Sequence, residues 1–339
     1  MPAFEDLPRD TQLARMEQAA LTTLNDRYSI TAGPFTLQQY EDNCVYRVET
    51  QNGPHTVRMS VRDGRPAQQQ ASELSWLDSL ARAGTVAAPR PVNATDGSFV
   101  TETVVPGLGS STIAVFAWVP GQAEPPFREP GIAEGMGTVT AQLHHHAATT
   151  PLHVGFARPT WEAADILDHG YALTHPNHPL LGADAAAVLR AVAERIHSHG
   201  PVPDSDRGLI HGDLHRENML LTPEGTIAVI DFDDCGLGTY TLDIATVLSS
   251  IHRLCRDEPD TYATFASRFL TAYEKIRPLP ATMDRFEDFL LLRDAFIVNF
   301  VTSSTNSEVA TWGPRRVAGL IAQMRDHLDG LPYAGTIGI

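Results

Sequence analysis

The sequence predicts an α+β fold of two lobes: a first lobe built on an antiparallel β-sheet and a second that is mainly helical. Three observations predict it. The chain's 339 residues exceed what one hydrophobic core usually serves. Short segments rich in β-branched and aromatic residues crowd its first third, and apolar residues recur at helical spacing over most of the remainder. Hydrophobic residues at 42% supply a core, and charged residues at 19% are too few for disorder.

The elements follow in order. Leu13, Met16, Ala20, Leu21 and Leu24 fall on one helical face and predict an amphipathic helix within an N-terminal extension, residues 1–29. FTLQQY, NCVYRVETQ and HTVRMSV read as strands, the last two joined by an NGP turn that signals an antiparallel hairpin. In QQQASELSWLDSLARAG, Leu74, Leu77 and Leu80 predict a helix that Gly84 stops. SFVTETVV and TIAVFAWV add two strands, the second ending at Pro120-Gly121. Residues 30–118 therefore form the sheet lobe and residues 119–339 the helical lobe, with a short hinge near Trp118 to Gly121. Clefts between such lobes are where small ligands usually bind. Beyond the hinge, helices are predicted at GIAEGMGTVTAQLHHHA, ADAAAVLRAVAERIHSH, DTYATFASRFLTAYEKI, TMDRFEDFLLLRDAFIVNFV and RRVAGLIAQMRDHL.

Charge narrows the partners. With 41 acidic against 25 basic residues, the net charge of −16 argues against nucleic acid or an anionic membrane and suits a cationic small molecule. The first residues carry early acids and no apolar segment, so they are not read as a secretory signal, and no run approaches the ~20 apolar residues that span a bilayer. Cys44, Cys235 and Cys255 form no CxxC pair and fit reduced thiols in a cytoplasmic protein.

The chemistry concentrates in LIHGDLHRENMLLTPEGTIAVIDFDD, residues 209–234. Asp213, His215 and Asn218 precede the apolar MLL; PEGT reads as a tight turn; IAVI then runs into Asp231. A loop, a hairpin and a strand-end carboxylate can bring two aspartates and an amide to one spot. Metal-assisted phosphoryl transfer needs such a set: Mg²⁺ takes oxygen ligands and neutralises phosphate charge, while a separate carboxylate orients the attacking hydroxyl.

HGDLHRENML followed by AVIDFDD resembles the catalytic and metal-binding motifs of the aminoglycoside phosphotransferase and choline kinase superfamily. That group of protein-kinase relatives also includes type II homoserine kinases and a bacterial stress-response Ser/Thr kinase. The resemblance implies a bilobal protein-kinase-like fold, with ATP (or GTP) and Mg²⁺ as cofactors. It implies Asp213 as the catalytic base, Asn218 and Asp231 as Mg²⁺ ligands, and His211 and His215 as residues that shape the loop; Asp233 is a separate candidate to support the metal or position the substrate. QYEDNCVYRV is similar to the nucleotide-covering hairpin, with Asn43 at its tip, and HTVRMSV to the strand bearing the phosphate-contacting cation, here Arg58. Glu73 matches the helix glutamate that pairs with that cation, and FAWVPG, with Trp118, resembles the adenine-binding hinge.

The sequence departs from the pattern in three places. No glycine lies between Gly33 and Gly53, where a phosphate-covering loop usually needs one. Arg58 stands where kinases commonly carry lysine, which keeps the charge and changes the geometry. Only a few residues separate Asp231 from the next helix, which Asp243 is expected to cap, so a long activation segment has no room. Successive helical residues point about 100° apart, so His144, His145 and His146 are read as a mixed helix face and not as a metal site. Cys235 is read as packing.

The expected activity is transfer of the γ-phosphoryl group of ATP to a hydroxyl of a small, amine-bearing metabolite or antibiotic. A stress-response-type Ser/Thr protein kinase and a nucleotide-binding pseudokinase remain alternative readings, and the oligomeric state is open.

Overall fold

A computed structural model describes residues 4–61 and 64–337. The outermost residues of the first and last expected segments, 1–3 and 338–339, lie outside the described residues. The chain divides into two compact units, one of residues 1–120 with 152–157, the other of residues 121–151 with 158–339.

The first unit opens with α1 (Arg9–Tyr28), then β1 (Ala32–Tyr40), β2 (Asn43–Thr50), β3 (His55–Ser60), α2 (Ala67–Ala83), β4 (Val100–Val105) and β5 (Gly109–Ala117). The five strands form one antiparallel sheet in the order β1-β2-β3-β5-β4. Strict alternation along β2 sends Cys44, Tyr46 and Val48 inward to meet Met16, Ala20 and Leu24 of α1. Val48, Met16 and Leu24 each contribute roughly 1.5–3 kcal/mol on burial, which helps an otherwise polar hairpin hold its register. Gly84 closes α2 in the left-handed conformation at φ +67°, donating its N–H to Leu80 O, as the sequence predicts.

The second unit begins with β6 (Gln122–Ala123) and α3 (Ile132–Thr149), followed by β7 (Thr160–Trp161), α4 (Tyr171–Thr174), α5 (Ala185–Ser198) and β8 (Arg207–Ile210). Next come the hairpin β9 (Met219–Leu221) and β10 (Ile227–Val229), then β11 (Gly236–Thr239), α6 (Tyr240–His252), α7 (Pro259–Glu274), α8 (Phe286–Ser303) and α9 (Ser307–Leu328). Two small sheets, β10-β9-β6 and β7-β11-β8, sit among the helices. Gly137 lets α3 cross close to α7, since a Cβ there would stand 2.1 Å from Phe269 O. Phe232, Tyr240, Phe269 and Tyr273 fill the interior.

Two expectations shift. Helix α9 starts at Ser307, about two turns before the predicted RR. Asn306 caps it by accepting from Glu308 N at 2.8 Å, and Pro314, which reads as a breaker, is carried inside it. Asp243 lies in the first turn of α6, yet its carboxylate caps nothing there: it accepts from His211 N at 2.8 Å and Gly212 N at 2.9 Å. Among the described residues, no helix is long and apolar enough to cross a membrane.

Candidate active site

The loop after β8 carries the expected residues, and its conformation is fixed from below. The Asp243 carboxylate, fully buried, takes the N–H groups of His211 and Gly212 and also meets His144 Nε2 at 3.2 Å. His144 Nδ1 lies 2.8 Å from Tyr273 OH. Burial pushes the His144 imidazole below its usual range, so the neutral ring donates through Nε2 and accepts the phenol at Nδ1. His144 and His146 are buried and His145 is exposed, the mixed face expected of the triple.

Gly212 shows why this loop needs glycine. Its φ is +82°, and a Cβ would stand 2.4 Å from Asp234 O, so the backbone beside Asp213 packs directly on the segment that follows Asp231. That segment is clamped in turn by Arg158, just before β7, and Trp161, at the end of β7. Arg158 donates through Nε to Cys235 O at 2.6 Å and through Nη2 to Asp233 O, while Trp161 Nε1 donates to Asp234 O at 2.7 Å. Cys235 is fully buried, in keeping with a packing role.

Asp213 itself is partly exposed, at 23% of its side chain. Its Oδ1 accepts from Arg293 Nη2 at 2.6 Å, and its Oδ2 lies 3.1 Å from His215 Nε2 and 3.4 Å from Asn218 Nδ2. Burial alone would raise the Asp213 carboxyl; the Arg293 guanidinium and the His215 ring outweigh it and hold it far below the usual carboxylate range. Burial lowers His215, but Asp213 and Glu217, 2.6 Å from its Nδ1, overcome this and push it up to about 9. The loop therefore presents an anion flanked by two cations.

The β9–β10 register brings the remaining pair together. Val229 faces Met219, and Ile230 N donates to Asn218 O at 2.9 Å, so Asp231 emerges one residue past the end of the hairpin. His211 Nε2 meets Ile230 O at 3.0 Å, and its ring lies against Phe232. Asp231 holds a left-handed backbone at φ +64°, uncommon for a residue with a side chain and better tolerated by Asp than by most. Asn218 turns its amide nitrogen to Asp213 O at 3.0 Å, so its oxygen is the end that could meet a cation. An amide oxygen and a carboxylate fit Mg²⁺, which takes few protein ligands and completes its shell with water and phosphate. Among the described residues, no group of three or more His, Cys, Asp or Glu side chains able to hold a metal occurs.

In the first unit, Arg58 donates to Glu73 through both terminal nitrogens, at 2.8 and 2.7 Å, with both side chains buried. Neither side chain is solvated. Trp118 carries the Arg47 guanidinium 5.1 Å over its ring and donates its backbone N–H to Pro54 O, while Asn43 opens β2 opposite Ser60.

Arg293, Arg158 and Trp161 were not singled out from the sequence. Arg293 had a readable signal: a charged residue in the apolar run LLLRDAF, where an unpaired charge is too costly to bury and a partner must exist. Arg158 and Trp161 act through backbone carbonyls some 75 residues away and leave no such mark.

Residues 37–326 match the phosphotransferase enzyme family. Amicoumacin kinase of Bacillus subtilis (strain 168) is 25% identical over 336 residues, 96% of this chain and 96% of that protein. A microcompartment-associated aminopropanol kinase superposes with a TM-score of 0.75 at 26% identity, over 92% of this chain and 98% of that one. The amicoumacin kinase hAmiN, solved in complex with AMP-PNP, Ca²⁺ and Ami, superposes with a TM-score of 0.76 at 20% identity, over 97% and 99%. The architecture is thus kinase-like.

Proposed function

Because this chain belongs to the phosphotransferase enzyme family, we propose that it moves the γ-phosphoryl group of ATP to a hydroxyl of a small, amine-bearing metabolite or antibiotic. The observation that carries the reading is the Asp213 carboxylate, held anionic by Arg293 and His215 in a loop that also presents Asn218 and, one hairpin later, Asp231. Relatives named for amicoumacin, homoserine and aminopropanol support a small acceptor, and the net charge of −16 favours a cationic one. Three buried, unbridged cysteines support a cytoplasmic setting.

In this reading Asp213 accepts the hydrogen bond of the acceptor hydroxyl and orients its oxygen in line with the phosphorus. Transfer passes through a loose transition state in which the new O–P bond forms as the bond to ADP breaks and the hydroxyl proton passes late to the Asp213 carboxylate, so an ionised carboxylate serves first to orient the hydroxyl. Asn218 Oδ1 and the Asp231 carboxylate would hold Mg²⁺, which when bound neutralises charge on the phosphate oxygens. His211 and the Asp243 carboxylate fix the loop, and the carbonyls of Asp233 to Cys235 are kept in place by Arg158 and Trp161. Arg58, aligned by Glu73, is the proposed phosphate contact, and the hairpin at Asn43 and the Trp118 segment are the proposed nucleotide cover and hinge.

The test is ADP release from ATP and Mg²⁺ across homoserine, choline, ethanolamine, aminopropanol, aminoglycosides, macrolides and a Ser/Thr protein substrate, with Asp213→Asn as the blank. Acceptor-dependent release on a small molecule supports the reading. Phosphate appearing only on protein, or nucleotide binding without turnover of any acceptor, contradicts it.

A further inference from the structure

Four aromatic rings run outward from Asp213, and phosphoryl transfer itself calls for none of them. Along α8, Arg293, Phe296 and Phe300 stand at i, i+3 and i+7 and share one helix face. Arg293 grips Asp213, and its guanidinium lies 5.2 Å from the centre of the Phe296 ring. Phe296 meets Trp161 edge to face at 5.0 Å, and Trp161 is pinned to Asp234 O. One turn on, Phe300 stacks against Trp312 of α9 with ring centres 6.5 Å apart and planes 23° from parallel. Phe300 is 40% and Trp312 45% exposed, whereas Trp161 and Phe296 are half-buried. The line thus starts at the reacting carboxylate and ends on two rings in water. Seven residues of helix separate Arg293 from Phe300, a rise of about 10 Å.

We propose that this aromatic line selects the acceptor, whose hydroxyl meets Asp213 while a flat aromatic ring about 10 Å away lies against Phe300 and Trp312. The inference rests on the phosphotransferase reading and names its substrate class: aryl-bearing hydroxyl compounds in preference to bare amino alcohols. The shared helix face from Arg293, which grips the carboxylate, to Phe300 argues for the acceptor as occupant, since an unrelated docking patch has no reason to lie in line with Asp213. Offset ring stacking adds affinity beyond the area it covers, and ring faces attract an ammonium group as well.

The test compares homoserine with homoserine 2-naphthylamide on the full chain with ATP and Mg²⁺, reading binding by calorimetry and turnover by ADP release. The naphthylamide is expected to bind at least about tenfold more tightly. Phe300→Ala and Trp312→Ala, both at exposed positions, are expected to cut that preference to below about threefold without lowering the melting temperature. Equal affinity for the two probes, no binding of the naphthylamide, or a preference that survives both substitutions overturns the proposal. So does a dimer by light scattering that Trp312→Ala splits, because a second copy would then cover the pair. Preferential binding that is lost in both variants but never yields ADP supports the aromatic surface and counts against phosphoryl transfer, so the two readings fail separately.

Discussion

Each unit contains an arginine–carboxylate pair, Arg58–Glu73 in the first and Arg293–Asp213 in the second, and they are finished differently. Arg58 and Glu73 engage through two parallel hydrogen bonds with side chains only 9% and 1% exposed, and the Phe116 ring lies 5.4 Å from the guanidinium. Arg293 reaches Asp213 through one nitrogen; its Nη1 is buried with no hydrogen-bond partner among the described residues, and Asp213 keeps one side toward solvent. A doubly bonded buried pair fixes a shape. A singly bonded, half-open pair keeps an ionised oxygen within reach of a substrate, and incomplete satisfaction of this kind concentrates at sites of chemistry.

The comparison breaks most visibly at Glu73. Glu73→Ala strands a buried guanidinium and is expected to cost about 3–5 kcal/mol of stability in chemical denaturation. A cost under about 1 kcal/mol would mean that Arg58 finds another partner, and the pair would not be a fixed element. In the second unit, Asp243→Asn exchanges an acceptor of two backbone N–H groups for an amide with one acceptor, with an expected loss of about 2–3 kcal/mol. Arg293→Met sharpens the contrast, because Asp213 can turn to water. Stability is expected to fall by less than the about 3–5 kcal/mol that breaking a fully buried pair costs, while kcat falls about 10- to 100-fold with KM for ATP unchanged. Arg293→Lys is expected to restore part of kcat, whereas a parallel loss of stability and activity in both variants would mark Arg293 as a packing residue.

Legibility follows the same division. The strands of the first unit, Arg58 with Glu73, and the order Asp213, Asn218, Asp231 were readable because local alternation and short spacing encode them. The small sheet of β7, β11 and β8 was not, since its strands are two to four residues long and β7 pairs with β11 across some 75 positions. Asp243 shows the limit most clearly: its place in the first turn of α6 reads as a cap, and only the fold reveals that the N–H groups it accepts belong to the loop before Asp213.

The smallest expected effect is a pH dependence. Burial holds His144 below the ordinary imidazole value of 6.5, so the unfolded chain takes up a proton at a pH where the folded one does not. Stability from this group is therefore complete above about pH 6.5 and is lost as pH falls toward the folded value. The melting temperature of the native protein should drop between pH 6.5 and 5 more steeply than that of His144→Gln, and parallel curves would assign the acid sensitivity elsewhere.

The account stands on Asp213, and the most direct measurement separates binding from turnover in Asp213→Asn. Once an acceptor is known, kcat should fall by about 10²- to 10⁴-fold, with the affinity for AMP-PNP and Mg²⁺, read by calorimetry, within about threefold of the native protein. Near-normal turnover in this variant would remove Asp213 from the reaction and contradict the site described above.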